Sequence, residues 1–186
     1  MDLFFKNTPY FMSVYLDFPL WKYLVTAAIF YVLLHLLLKR VAKWSVKKTV
    51  IISIVFSLYF ALLIGMTLLG SNRSGVTGAI LDPLYGIKKI VLEGNVHFLR
   101  GMLSNVLFFV PCGVFYRLLD YKYKFYKGFV YSALISIILE LLQYVFAVGY
   151  FEVSDIICNV AGMLVGMCIA QATFAIINRI KKQAKE

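Results

Sequence analysis

Five long apolar runs constrain this chain more than any other feature. They cover residues 20–38, 50–69, 102–119, 128–148 and 155–177, each close to the roughly 20 residues a helix needs to cross a bilayer core. The runs are continuous rather than alternating, which disfavours a transmembrane barrel. A soluble domain is excluded as well. Hydrophobic residues make up 62% of the 186, charged residues 15% and mean hydropathy is +0.84, whereas soluble domains carry about a quarter charged residues. The expected fold is all-α, a polytopic membrane helical bundle forming a single integral membrane domain over residues 1–186. No internal repeat argues for an inverted-repeat transporter.

The formal charge of +10 does not point to nucleic acid, because the basic residues flank the apolar runs instead of lining one face. They read as topology signals. Lys39, Arg40, Lys43, Lys47 and Lys48 lie between the first two runs, Arg117 at the end of the third run with Lys122, Lys124 and Lys127 before the fourth, and Arg179, Lys181, Lys182 and Lys185 after the fifth. Placing all three clusters inside gives five spans with the N-terminus outside and the C-terminus inside. Residues 1–19, with Tyr10 and Phe11, then suit an interfacial segment, and the first run is an uncleaved span because it lacks a basic leader and a small-residue cleavage site. Cys112, Cys158 and Cys168 all fall in spans and read as packing residues. No metal site or cofactor is expected: His35 and His97 have no second ligand at a suitable spacing.

The external segment 70–101 opens with a flexible loop, Gly70 to Gly78. Asp82 is placed to cap a helix whose first position is Pro83. Ile80, Leu84, Ile87 and Val91 recur at helical spacing with Lys88 and Lys89 off the stripe, which describes a short interfacial helix; Gly86 in its middle leaves a re-entrant or packed connector equally open.

Polar residues inside the spans mark the candidate site, since burying a carboxylate or amide in hydrocarbon costs several kcal/mol unless it is paired or wetted. Glu140 and Gln143 share one face of the fourth span, Asp155 and Asn159 one face of the fifth. The break from Ala147 to Ser154 lets the two helices return antiparallel with those faces together. Arg100 and Asn105 open the third span. With the expected topology all six sit in the outer half of the membrane, which makes them candidate ligand-binding residues around one polar pocket. Pro111 kinks the third span and frees the Leu107 carbonyl, and Gly162 with Gly166 forms a small-x-x-x-small packing pair.

These residues carry a resemblance. Asn105, Phe109, Pro111 and Gly113, then Glu140 and Gln143, then Asp155, Asn159, Gly162 and Gly166 give N-x-x-x-F-x-P-x-G, E-x-x-Q and D-x-x-x-N-x-x-G-x-x-x-G in order. Over residues 95–167 the chain resembles the VanZ-like family of bacterial membrane proteins. Gly149 and Ser154 depart from a pattern with an arginine and a second acid. The resemblance implies a cell-envelope protein contributing to resistance against teicoplanin-type lipoglycopeptides.

The expected function is non-catalytic binding of an amphiphile, a lipoglycopeptide or a lipid-linked cell-wall precursor, with membrane lipid as the surrounding partner. Arg100 would meet an anionic group, and Glu140 and Asp155 amines or hydroxyls. An intramembrane enzyme with Glu140 as general acid or base, or a proton-coupled carrier using the same residue, remains the alternative. Ser104, Ser136 and Ser154 have no histidine at a nucleophile-activating spacing, which leans against catalysis. Oligomeric state is not legible.

Overall fold

The computed structural model describes residues 20–42, 44–68, 75–119 and 124–184. The expectations for residues 1–19, for most of the Gly70 to Gly78 loop and for Lys43, Lys122 and Lys185 fall outside these. The described elements are α1 (Leu20–Val41), α2 (Val46–Thr67), β1 (Val76–Ile80), α3 (Tyr85–Glu93), α4 (Val96–Leu119), α5 (Phe125–Val145), β2 (Val148–Glu152) and α6 (Val153–Gln183). Five of the helices, all but α3, are long and apolar enough to cross a membrane. The chain is a multi-pass helical membrane protein.

Chain contacts divide the described residues into two compact units: those up to 77 with 142–149, and those of 78–141 with those from 150 onward. In the first unit α1 and α2 pack antiparallel. Phe30 stacks on Phe60 with ring centroids 5.6 Å apart, and a Cβ on Gly65 would strike the Tyr23 ring. Ser45 caps α2 by accepting the Lys48 N–H at 3.4 Å. Along α2, Thr49, Ser53 and Ser57 are buried, and each hydroxyl donates to the carbonyl four residues back, so these polar groups are satisfied within their own helix.

The second unit is built on α4 and α6. Glycine creates the contact: a Cβ on Gly162 would collide with the Val106 carbonyl, one on Gly166 with the Val110 carbonyl, and one on Gly113 with the Met163 carbonyl. Absent side chains let the backbones approach closely. From Val106 against Gly162 to Val110 against Gly166 the matched positions rise together along both helices, so α4 and α6 run parallel. Farther along, Arg117 donates from Nε to Gln171 Oε1 at 2.7 Å and stacks over the Phe174 ring at 5.0 Å. The basic residue read as a topology signal therefore also ties the two helices. Pro111 lies inside α4, which continues past it to Leu119.

Several boundaries differ from the sequence expectation. The loop expected at Gly70 to Gly78 runs into β1, which pairs with β2 in a two-stranded sheet, and β2 occupies most of the break expected from Ala147 to Ser154. Ala147 ends α5 in a left-handed conformation with φ 52°. Helix α3 starts at Tyr85 rather than Pro83. Asp82 accepts the Leu84 N–H through its side chain at 3.0 Å and the Tyr85 N–H through its carbonyl at 3.1 Å, which makes Asp82-Pro83-Leu84-Tyr85 a β-turn with proline in its favoured second place. A left-handed glycine cap closes α3: Gly94, at φ 62°, donates to Ile90 O, and Asn95 N donates to Lys89 O. Asn95 Oδ1 then accepts the His97 N–H at 3.0 Å, so α4 begins at Val96, six residues before the apolar run. Helix α6 extends to Gln183, because the basic tail consists of good helix formers and its lysines suit the negative end of the helix dipole.

Candidate functional site

Glu140 is a deeply buried acidic residue of the second unit. It sits on α5 in phase with Ser132 and Ser136, one helical turn apart each, and all three are buried, Glu140 at 3% exposure and Ser136 at 0%. A carboxyl group so deep needs hydrogen-bond donors. One is the backbone: the Glu152 N–H donates to Glu140 Oε2 at 3.1 Å. Glu152 is the residue that caps α6, so the acidic side chain of one span reaches the start of the next, where unpaired N–H groups and the positive end of the helix dipole favour negative charge. Ser154, buried in the first turn of α6, donates to Glu152 Oε2 at 3.5 Å.

One turn away along α5, Asn159 of α6 donates from Nδ2 to Ser136 Oγ at 2.9 Å. Its Oδ1 is buried and has no hydrogen-bond partner, although Asn159 is only 4% exposed. Turning the amide over would let Oδ1 accept from the Ser136 hydroxyl and would leave Nδ2 alone instead. Either way one amide atom is open inside the protein, and a buried open polar atom calls for a water or a ligand group.

The faces carrying Glu140 and Asn159 are thus brought together within this unit, with Asp155 one turn before Asn159 on the same α6 face. Arg100 and Asn105 are half-buried on α4, which packs along α6. Gln143 belongs to the first unit. There its Nε2 donates to the Thr67 carbonyl at 3.2 Å, one of the last carbonyls of α2, which have no partner inside the helix. Sequence reasoning missed Ser136 as a polar partner and the Glu152 backbone as a donor. The signal for the first was present, since Ser132, Ser136 and Glu140 repeat at four-residue spacing; the second depends on where α6 begins.

A helical membrane protein that holds a carboxylate and an amide inside its bundle, against the first turns of a neighbouring span, is the class these features define. The chain belongs to the VanZ/LLP1 family, whose family model matches residues 56–176. It is similar to Protein VanZ of Enterococcus faecium, with 29% identity over 68 residues, covering 37% of this chain and 42% of that protein. The chain therefore matches less than half the length of this curated relative. No solved structure matches.

Proposed function

We propose that this protein acts in the bacterial cell envelope as a teicoplanin-resistance-type membrane protein that binds an amphiphile, without catalysing a reaction on it. The observation that carries this reading is the buried pair on α5 and α6: Glu140 fastened to the Glu152 N–H, and Asn159 fastened to Ser136 with one amide atom open. A buried carboxyl and an open amide atom select ligands that bring matching hydrogen-bonding groups, the amines and sugar hydroxyls of a lipoglycopeptide or of a lipid-linked cell-wall precursor. Arg100 supplies an anion contact, bidentate where it meets a carboxylate or phosphate; Asp155 and Asn105 flank it. In this proposal the N-terminus is outside, the C-terminus inside and the site in the outer half of the cytoplasmic membrane, where such amphiphiles reside.

Expression in a teicoplanin-susceptible Gram-positive host tests the reading. The wild-type chain should raise the inhibitory concentration, and Glu140→Gln at equal membrane abundance should return it to the vector level. A wild-type chain with no effect, or a Glu140→Gln variant with full effect, would overturn the proposal.

A further inference from the structure

Helix α3 carries a feature that the Glu140 site does not use. It is fixed to the start of α4 by one side only: Tyr85 meets Phe98 edge to face with centroids 5.4 Å apart, and a Cβ on the buried Gly86 would press on Met102 Sδ. At 100° per residue, Leu84, Ile87 and Val91 point to the opposite side. All three are exposed, Val91 at 73%. Such an apolar face turned away from the protein requires an occupant.

Continuity indicates what that occupant is. Only Gly94 and Asn95 separate α3 from α4, and α4 is a membrane-spanning helix whose own Val96, Leu103 and Leu107 are exposed. The apolar face of α3 therefore belongs to a helix joined by two residues to a span whose exposed side chains must already contact lipid. Its charges are arranged for the same place. Lys88 pairs with Asp82 and Lys89 with Glu93, each at 2.6 Å, and Lys89 also lies over the Tyr85 ring at 5.6 Å. Cations neutralised within the helix and its entry turn lower the cost of sitting at the boundary between headgroups and acyl chains. They also leave less charge for binding anionic lipid.

We propose that α3 is an interfacial helix seated in the lipid headgroup region, with Leu84, Ile87 and Val91 inserted among acyl chains and with a seat that is apolar rather than electrostatic. Depth-dependent quenching in the reconstituted full chain tests this. On a background of Trp21→Phe and Trp44→Phe, a single tryptophan is placed at position 91, at 87 in a second variant in case the first fails to fold, and at 93 as reference. The vesicles are phosphatidylcholine, with or without phosphatidylglycerol. Position 91 or 87 should emit to the blue of 93, lose emission when the lipid is replaced by a shallow dibrominated phosphatidylcholine, resist aqueous acrylamide, and do so equally in both vesicle types. Acrylamide quenching at 91 and 87 equal to that at 93 would mean the face is in water and overturn the proposal. Protection from both quenchers would overturn it in favour of a protein cover, another segment of this chain or a second copy. Lipid quenching that appears only with phosphatidylglycerol would overturn the apolar seat.

Discussion

Glu140 Oε2 accepts the backbone N–H of Glu152 at 3.1 Å, so an acidic side chain near the end of α5 is fixed to the residue that starts α6. The bond separates two roles of Glu140. Glu140→Gln keeps an oxygen that can accept the N–H and is expected to fold with little change in thermal stability, while losing the carboxylate the proposed binding needs. Glu140→Ala leaves the N–H without its acceptor and should cost about 1–3 kcal/mol. Detergent-solubilised melting curves of the two variants, beside their drug susceptibilities, check both expectations; a Gln variant as unstable as Ala would make the residue structural.

The glycine contacts predict a stability series independent of that site. Gly162→Ala and Gly166→Ala each direct a methyl into a backbone carbonyl of α4, which no rotamer change can relieve. Each is expected to cost about 1–3 kcal/mol, as overpacking does, with the double variant less destabilising than the sum once the helices have separated. Gly101→Ala, whose Cβ meets nothing within 4 Å, should be neutral or slightly stabilising and serves as the control. Equal effects at 101 and 162 in unfolding by graded denaturing detergent would contradict the close approach.

Ser136 and Asn159 predict a rescue. Ser136→Ala removes the acceptor of a buried amide whose other atom already has no partner, and should cost about 1–2 kcal/mol, near the top of the range for hydrogen bonds between membrane helices. Combining it with Asn159→Leu replaces both polar partners by apolar groups, which is often close to neutral. The double variant should therefore be more stable than Ser136→Ala alone while losing any effect on drug susceptibility. A double variant less stable than either single one would show that Asn159 is held by something other than Ser136.

Span number, and the pairing of the α5 and α6 faces, were legible because they follow from run length and from residues spaced by whole helical turns. The strand pair was not. Val-Thr-Gly-Ala-Ile and Val-Gly-Tyr-Phe-Glu are five residues each and contain glycine, so neither reads as a strand until its partner, about seventy residues away in sequence, is known. The start of α3 was misplaced by two residues because a proline suits the first turn of a helix and the second place of a β-turn equally well; the Leu84 N–H, bonded to the Asp82 side chain, decides for the turn. The contribution of Glu152 is made by its backbone, and no side-chain pattern encodes it.

Asp82 gives a pH expectation in the same turn. Its hydrogen bonds from Lys88 and from the Leu84 N–H hold the carboxyl below its ordinary value of 3.8. A depressed carboxylate contributes stability that is present above the ordinary value and lost as pH falls through the folded one. The turn into α3 should thus be unchanged from neutral pH down to the ordinary carboxylate range and loosen only below it, with Asp82→Asn abolishing that step. Titrating the Leu84 amide resonance checks this, and a midpoint above 3.8 would contradict the bonding.

Arg100 and Asp155 should act as one unit, and the register of α4 on α6 supplies the reason. Val106 lies against Gly162 and Val110 against Gly166, an offset of 56; Arg117 bonds Gln171, an offset of 54. Gly113 lies against Met163, an offset of 50, so carrying these contacts back along the parallel helices puts residue 100 level with residues 150–156, a window that contains Asp155. Glu140 reaches the same end of α6 from α5, at the backbone of Glu152. A cation and carboxylates at one level near the end of a membrane bundle are more stable coupled than apart, because an uncompensated charge left there costs several kcal/mol or draws in water. Arg100→Ala and Asp155→Ala should each lower stability and drug resistance, and the double variant should lose little more than the worse single one, giving a coupling energy of about 0.5–3 kcal/mol. Arg100→Lys should recover only part of the loss, since an ammonium cannot reproduce a two-pronged contact with a carboxylate. Additive losses in both readouts would show the two charges working separately, and the anion contact assigned to Arg100 would then stand without its counterpart on α6.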